Sequence, residues 1–433
     1  MSAARPASPL AARAAWGMLL ALSFAFVLSQ AFRSLAAIMG PPLTQELRLG
    51  AQQLGNWSAA YHLAFGVMQV AMGVSLDVWG VRRTIMLAFP LTIAGAALSS
   101  QTDGYGALML GQLLIGTGCS PAFLVCTVFI SRHFAPERFT PVSGAVMSIG
   151  YAGMLLTATP LAWLIERSSW RWGFGALALA ALATWLLIAW RVREPPLLAG
   201  GAAAPRPSPR AALAGMLALF RLPQTRGLVA YALVAYATYI TIRGLWLGPL
   251  LVQRFDFSLV QSGNVAFAMT AASIGSPMLF GRIAPGGRGR QHWLIALAVL
   301  AALLVAAMAL VRVAWVDALL AIVFGLMSGY MVLQYGYVHA SYPPEVRGRA
   351  LSLLTMAMFL GVSLMQSVSG MAASLAPSVG LEPFTAALLS MSALLLAGAF
   401  AFRPKSLIFQ RMASGPISSA RAPASRWRRG PTA

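Results

Sequence analysis

The chain has 433 residues, of which 59% are hydrophobic and 9% are charged, and its formal net charge is +21. A soluble domain carries about a quarter charged residues, so this composition excludes an ordinary soluble protein. The positive charge could suggest nucleic acid in a soluble protein. Here the basic residues stand in short connections between apolar runs, so we expect a lipid environment and no nucleic-acid partner.

Twelve apolar runs are long enough to cross a bilayer as helices, since about 20 residues span the hydrocarbon core. Lipid offers backbone groups no hydrogen-bond partner, so we predict an all-α membrane protein. The predicted spans are 14–38, 54–76, 83–101, 105–131, 141–165, 172–191, 228–250, 259–281, 292–312, 315–338, 350–374 and 383–402. These spans predict a cytoplasmic tail (1–13), a six-helix bundle (14–191), a linker (192–227), a second six-helix bundle (228–403) and a basic disordered tail (404–433).

Basic residues in the connections predict the orientation of the chain. With the N-terminus inside, 24 Arg and Lys residues fall on the cytoplasmic side and 5 in the outer loops. This asymmetry predicts that both termini are cytoplasmic in a multi-pass protein of the inner membrane. The two remaining cations, Arg33 and Arg243, fall inside predicted spans.

The two halves of the sequence align at a constant offset of 208 residues. Gln53-Leu54-Gly55-Asn56 corresponds to Gln261-Ser262-Gly263-Asn264, and Gly40-Pro41 corresponds to Gly248-Pro249. Several landmarks at one offset indicate a duplication. Parallel six-span repeats place the substrate near the midplane, between two pseudo-symmetric bundles.

A glycine-, aspartate- and arginine-containing segment between spans 2 and 3 carries a family resemblance. Gly73, Asp77, Gly80, Arg82 and Arg83 form a Gly-x-x-x-Asp-x-x-Gly-x-Arg-Arg pattern. The pattern resembles the first cytoplasmic loop of the major facilitator superfamily. The resemblance implies that these five residues form a latch that holds the outward-open state. The two glycines would permit close helix approach and a tight turn.

Arg33 and Arg243 are the principal clue to the substrate. A cation inside a span is costly and tends to persist only beside a cavity, a partner or a ligand. Two guanidinium groups facing one cavity would suit a carboxylate or a phosphate. The arrangement is similar to the organic-anion branches of the superfamily. At the repeat offset, however, Arg33 corresponds to Thr241. Either span 7 is locally unwound or the arginines face differently, and the alternative is that both extend to the headgroups.

No acidic residue falls inside a predicted span away from its ends, so a buried proton-carrying carboxylate is expected to be missing. His62 is then the candidate for proton coupling. Other residues that could line the path are Gln30, Tyr61, Gln112, Tyr236, Tyr239, Gln334 and Gln366.

These observations predict a secondary transporter of a small carboxylate- or phosphate-bearing solute that works by alternating access. We expect a monomer that is not an enzyme and has no cofactor or metal. One alternative is a proton-driven exporter of hydrophobic compounds, and another is a membrane receptor that binds an anion without transporting it.

Overall fold

A computed structural model describes residues 12–193, 214–215, 217–283, 285 and 289–403, and every regular element in these residues is helical. Residues 1–11 of the predicted N-terminal tail (1–13), the predicted tail over 404–433 and most of the predicted linker lie outside the described residues. The described helices form twelve spans, numbered in chain order. We call the end of the bundles where span 1 begins and span 12 ends the inner end, and the opposite end the outer end.

The first bundle contains six spans, three of which are interrupted. They are span 1 (Ala12–Arg33 and Ala36–Leu47), spans 2 and 3 (together Ala51–Gln101), span 4 (Tyr105–Cys119 and Ala122–His133), span 5 (Phe139–Leu156 and Thr159–Arg167) and span 6 (Trp170–Arg191). Spans 2 and 3 are separated by a turn at Gly80, whose φ of 80° is a conformation that favours glycine.

The second bundle repeats this order with different interruptions. It contains span 7 (Pro223–Thr241, Ile242–Trp246, Leu247–Pro249 and Leu250–Arg254), span 8 (Leu259–Ile283), span 9 (Gly289–Val311), span 10 (Ala314–Met327, Ser328–Met331 and Val332–Ser341), span 11 (Pro344–Leu375) and span 12 (Pro383–Ala401). Short 3₁₀ turns lie at Pro136–Arg138, Leu219–Arg221 and Ala376–Val379.

Eleven helical stretches among the described residues are long and apolar enough to cross a membrane. Span 8 is the twelfth, and it is less apolar because it contains Gln261, Asn264 and Arg282 as well as several hydroxyl side chains. Four of them are fully buried, namely Ser262, Thr270, Ser273 and Ser276. These four hydroxyls therefore face protein, and the twelve-span arrangement is retained.

The two bundles contact each other through the glycines that mark the repeat. A Cβ atom on Gly248 would collide with the carbonyl oxygen of Ala37, and one on Gly40 would lie 3.4 Å from Pro249. Spans 1 and 7 therefore pack backbone to backbone. In the same way, Gly55 of span 2 lies against the backbone of span 11, and its counterpart Gly263 of span 8 lies against span 5.

These contacts close the outer half of the bundle interface. Two hydrogen bonds add to them at the outer end: Thr159 donates to Asn264 (2.7 Å), and the Val260 amide donates to Glu166 (2.8 Å). By contrast, the described inner parts of spans 4 and 10, Ala122–His133 and Val332–Ser341, make no substantial contact with the opposite bundle. The bundles are therefore closed at the outer end and separated at the inner end.

Candidate functional site

Arg33 is the last residue of the first helix of span 1, and it lies where the two bundles meet. Its side chain is only 7% exposed. Its Nη1 donates a 2.9 Å hydrogen bond to the Tyr236 hydroxyl of span 7. Its Nε is buried without a hydrogen-bond partner. Among the described side chains, no carboxylate forms an ion pair with it. Arg33 is thus a buried cation whose Nε–H group has no acceptor among the described residues.

Two phenylalanine rings, one from each bundle, surround the Arg33 guanidinium. Its central carbon lies 5.1 Å from the ring centroid of Phe65 in span 2 and 4.7 Å from that of Phe359 in span 11. The two rings contact each other, with centroids 4.4 Å apart. Cation–π attraction stabilises this arrangement, and more strongly where water is excluded. The aromatic pair therefore holds the arginine at the boundary between the bundles.

Further tyrosines extend this site toward the inner end. Tyr151 and Tyr335 are close enough to Arg33 to interact with it electrostatically. Tyr335 is 39% exposed although its neighbours Arg33 and Tyr236 lie between the bundles. A side chain that is accessible at such a position lines an internal cavity rather than the lipid-facing surface. Tyr61, a predicted site residue, also interacts with the Arg33 side chain, and its hydroxyl donates to the Ser29 carbonyl (2.9 Å).

Arg243 has different surroundings from Arg33 and is completely buried. Its Nε donates to Thr270 of span 8 (2.7 Å), and its Nη2 donates to the main-chain carbonyl of Met154 in span 5 (2.7 Å). The second of these hydrogen bonds crosses between the bundles. Neither arginine extends to the headgroups, so the structure contradicts that alternative.

The Met154 carbonyl is available because span 5 is interrupted there. In a regular helix the amide of Ala158 would donate to Met154, but it donates to Leu155 instead (3.1 Å). Span 7 is also irregular at this depth, because Ile242–Trp246 is a π-helical segment that contains Arg243. Such π segments occur mostly at functional sites. Span 7 is thus locally distorted. This agrees with one of the two explanations offered for the mismatch between Arg33 and Thr241, a locally unwound span 7.

The interruptions of spans 1, 5 and 7 meet at one place. Ser34, in the break of span 1, shares a 2.8 Å hydrogen bond with Thr157, in the break of span 5. A Cβ atom on Gly244 would lie 3.1 Å from the Arg33 carbonyl. Interrupted helices at the midplane are typical of substrate sites in transporters. The two arginines lie on either side of this junction.

His62 lies in span 2, beside the aromatic pair. It is buried, its Nδ1 lies 3.3 Å from the Ser58 carbonyl, and its Nε2 has no hydrogen-bond partner. The edge of its ring meets Tyr61 at a centroid distance of 5.0 Å. The structure therefore places His62 next to the residues around Arg33, with one ring nitrogen free.

The remaining predicted site residues are buried but are not gathered around Arg33. Tyr239 shares a 2.8 Å hydrogen bond with Ser273 inside the second bundle. Four glutamines are buried with one or both amide atoms unpartnered among the described residues, namely Gln30, Gln112, Gln334 and Gln366. Tyr236, named from the sequence as a residue that could line the path, contacts Arg33. Phe65 and Phe359 were missed as partners of Arg33, because apolar and aromatic residues are common in every span.

The predicted latch between spans 2 and 3 is described in part. Gly80 makes the expected turn, and Arg82 donates to the Ala189 carbonyl at the inner end of span 6 (3.0 Å). A Cβ atom on Gly73 would meet no other described element within 4 Å, so the expected close helix approach is not observed there. The Asp77 side chain lies outside the description. Arg83 has an exposed side chain.

The expectation that no carboxylate is buried was wrong for Asp317. It lies in the first turn of span 10, is fully buried, and forms an ion pair with Arg254 (3.5 Å). Both of its carboxylate oxygens lack a hydrogen bond among the described groups. Arg254 also pairs with Glu382. The burial of Asp317 could not be predicted from the sequence, because a residue near the end of a span can either face water or pack against neighbouring helices.

Comparison with known proteins agrees with the fold. The Major Facilitator Superfamily profile matches residues 22–366. The match covers most of the chain, so the chain belongs to this superfamily and is a multi-pass membrane protein.

Two relatives show the breadth of the family. The chain is 29% identical to the fosmidomycin resistance protein of Escherichia coli (strain K12) over 114 residues, 26% of this chain and 28% of that protein. It is 22% identical to the hexuronate transporter of Bacillus subtilis (strain 168) over 180 residues, 41% of this chain and 42% of that protein. Both alignments span less than half of these relatives.

Solved structures match over nearly their whole length and show the fold alone. The D-xylose-proton symporter superposes with a TM-score of 0.70 at 14% identity, covering 90% of this chain and 98% of that chain. A bacterial homologue of the human lysosomal transporter Spinster, in an inward-facing and unoccupied conformation, gives 0.67 at 15% identity, covering 91% and 95%.

Proposed function

We propose that this protein is a secondary transporter of a small organic anion and that Arg33 binds the anionic group. The observation that carries the proposal is the buried Arg33 guanidinium, which has an unpartnered Nε and no carboxylate partner among the described residues. Keeping a cation in such a place is costly unless a ligand or partner compensates it. A carboxylate or phosphate ligand would complete its hydrogen bonds.

The same geometry supports a mechanism of alternating access. The bundles are closed at the outer end, and Arg33 lies at the inner edge of the closed region, next to the exposed Tyr335. We propose that the inner end faces the cytoplasm, with both termini on that side of the inner membrane. The distribution of basic residues, 24 against 5, supports this orientation. One relative is named as a hexuronate transporter, which is compatible with an anionic substrate.

Uptake by reconstituted protein tests the role of Arg33. A thermal-shift screen of the purified protein against carboxylates and phosphates selects a ligand, which is then radiolabelled and supplied to proteoliposomes. We expect Arg33→Ala to abolish uptake, because the anion loses its counter-charge. Arg243→Ala is expected to abolish it too, because that arginine joins the bundles. Arg138→Ala, at an exposed arginine in an inner connection, is the matched control. Full transport by both Arg33→Ala and Arg243→Ala would refute the proposal.

His62 remains the candidate for proton coupling, and the structure adds Asp317 as a second. The pH profile of uptake distinguishes them: the variant that flattens the profile, His62→Gln or Asp317→Asn, identifies the group that exchanges the proton. A profile that neither substitution changes would contradict both assignments.

The aromatic surroundings of Arg33 favour a second candidate function, the export of hydrophobic compounds. Neutral hydrophobic substrates would bind Phe65, Phe359 and the tyrosines without needing a cation. Under that function, efflux of neutral compounds would survive Arg33→Gln. Under the proposed function, no neutral compound is transported.

A further inference from the structure

A single cation of the candidate site is available to a ligand in this conformation. Arg243 is completely buried, and it is held by Thr270 and by the Met154 carbonyl. Each arginine has one nitrogen without a hydrogen-bond partner among the described groups, Nε of Arg33 and Nη1 of Arg243, but only Arg33 has any exposed surface, 7%. The described arginines that form ion pairs, Arg171 and Arg254, lie at the outer ends of spans 6 and 7. The site therefore offers one positive charge.

A single positive charge selects against ligands that carry two or more negative charges. A second carboxylate, or the second charge of a phosphate, would enter a water-poor site without a counter-ion. Burying an unpaired charge is strongly unfavourable. The described neighbours of Arg33 include no lysine and no second free arginine. We therefore expect the ligand to carry one negative charge.

The walls of the site are aromatic on both bundles. Phe65 and Phe359 contact the Arg33 guanidinium and each other, and the Tyr236 ring packs edge-on against Phe359 at a centroid distance of 5.7 Å. The Tyr335 hydroxyl lies 3.8 Å from the sulfur of Met358 and also interacts with the Thr355 side chain. Aromatic rings prefer offset-stacked or edge-to-face contacts with other rings.

The same walls suit a sugar poorly. Each hydroxyl of a polyhydroxylated ligand must find a hydrogen-bond partner when it leaves water. Beside the aromatic rings, the described polar groups near Arg33 are tyrosine hydroxyls, the Nε2 of His62 and the amide of Gln366, which lies next to His62. The rings themselves offer a sugar hydroxyl no partner of this kind. A flat apolar group has no hydroxyls, so it loses no hydrogen bonds to water when it enters these surroundings.

From these observations we infer that the substrate is a monoanion with a flat apolar body, of which an aromatic monocarboxylate is the simplest kind. The inference rests on the proposed function and specifies its substrate class. The carboxylate would bind Arg33, and the ring would lie against Phe65 and Phe359 as the bundles close around it.

Binding measurements with matched probes test this inference. Isothermal titration of the full-length protein would use phenylacetate, cyclohexylacetate, acetate, phenylacetamide, phenylmalonate, glucuronate and inorganic phosphate. We expect phenylacetate to bind about tenfold more tightly than acetate, because only phenylacetate can contact the aromatic rings. Phenylacetamide, which lacks the charge, should bind on the order of tenfold or more weakly than phenylacetate. Phenylmalonate should bind more weakly too, because its second carboxylate has no partner.

Two substitutions separate the contribution of the rings from that of the charge. Phe65→Leu and Phe359→Leu keep apolar bulk and should remove the preference for phenylacetate over cyclohexylacetate. Phe400→Leu, at a phenylalanine that is 64% exposed near the end of span 12, is the matched control and should keep that preference. Arg33→Gln should abolish binding of every anion, whereas Arg138→Gln should not.

The outcomes distinguish the inference from the function on which it rests. Tighter binding of phenylmalonate, glucuronate or inorganic phosphate than of phenylacetate would overturn the substrate class and leave anion transport standing. Absence of phenylacetate binding would overturn the substrate class as well. Equal binding of phenylacetamide and phenylacetate, unchanged in Arg33→Gln, would refute the proposed function itself.

Discussion

At the scale of single residues, two arginines in corresponding spans have different environments. Arg33 is held by two rings and a tyrosine hydroxyl and keeps an unpartnered Nε. Arg243 donates to a threonine and to a main-chain carbonyl of the other bundle. Chemically identical side chains can therefore serve different purposes. We expect the first to bind the ligand and the second to keep the outer end closed.

A third arginine, Arg254, belongs to a polar cluster at the outer end of the second bundle. It contacts both oxygens of Glu382, and Glu382 also accepts from the Thr385 amide (3.1 Å) at the start of span 12. The residue 208 positions before Arg254 is Glu46 of the first bundle, which pairs with Arg171. Each bundle therefore has an ion pair between the outer end of its first span and the start of its sixth span. The acidic and the basic residue are exchanged between the two bundles.

The Glu382 cluster predicts a pH dependence of stability. Partial burial raises the pKa of Glu382, but the hydrogen bonds from Arg254 and Thr385 lower it more, so the pKa lies below its ordinary value of 4.5. A carboxylate with a lowered folded-state pKa stabilises the fold above the ordinary value, and the stabilisation is lost as the pH falls through the folded pKa. We expect the wild type to melt at a higher temperature than Glu382→Gln at pH 6 to 7, with the difference shrinking below about pH 4.5.

The melting temperatures of both proteins, measured in one detergent across this range, check the prediction. A difference that persists undiminished at pH 3 would show that the carboxylate charge is not the cause. Asp317 shares Arg254 with Glu382, so the comparison is repeated in an Asp317→Asn background, in which Asp317 cannot titrate.

At the scale of helices, glycine positions determine how closely the spans approach. Gly248 and Gly40 bring spans 1 and 7 together, and Gly55 and Gly263 do the same for the other two pairs of spans across the interface. Small residues allow this approach because lipid gives helices no hydrophobic reason to associate, so packing decides. At other glycines, such as Gly275 in span 8, an added Cβ atom would meet no other described element within 4 Å.

Substitution of Gly248 tests this packing. A Cβ atom there would overlap the Ala37 carbonyl oxygen, so Gly248→Ala should separate spans 1 and 7. Overpacking of this kind typically costs about 1–3 kcal/mol, and the purified variant should melt at a correspondingly lower temperature. Gly275→Ala is the matched control and should melt like the wild type. Equal melting of the two variants would contradict the close packing of spans 1 and 7.

At the scale of the whole molecule, the pseudo-symmetric bundles are closed at one end. The hydrogen bonds and glycine contacts that join them lie in the outer half or at the depth of the two arginines. Closed packing at one end and separation at the other describe one extreme of a rocking motion. Transport then requires the outer contacts to break in every cycle.

A cross-link across the outer end should therefore stop transport. Thr159 and Asn264, whose side chains are in hydrogen-bond contact between spans 5 and 8, would be replaced by cysteine. A short bifunctional thiol reagent with a cleavable bridge should abolish uptake, and reductive cleavage should restore it. The two native cysteines, Cys119 and Cys126, are buried, and the protein without the added cysteines is the control. Full transport by the cross-linked protein would contradict the rocking motion.

The sequence by itself determined the class of protein. Apolar length predicted the twelve spans, and the 208-residue offset predicted the pseudo-symmetry of the two bundles. Both are local or periodic properties: each span is recognised by how much apolar surface it offers to lipid, independently of its neighbours. The Gly80 turn was also predictable, because a single residue type accounts for it.

Only the tertiary structure decided what each buried polar group contacts. Which residues meet Arg33, how Arg243 reaches Met154, and that Asp317 is buried all depend on the rotation of each helix about its own axis and on the breaks in spans 1, 5 and 7. Hydropathy is insensitive to that rotation, since turning an apolar helix leaves its composition unchanged. The aromatic frame of Arg33 was therefore hidden among many similar residues until the bundles were placed against each other.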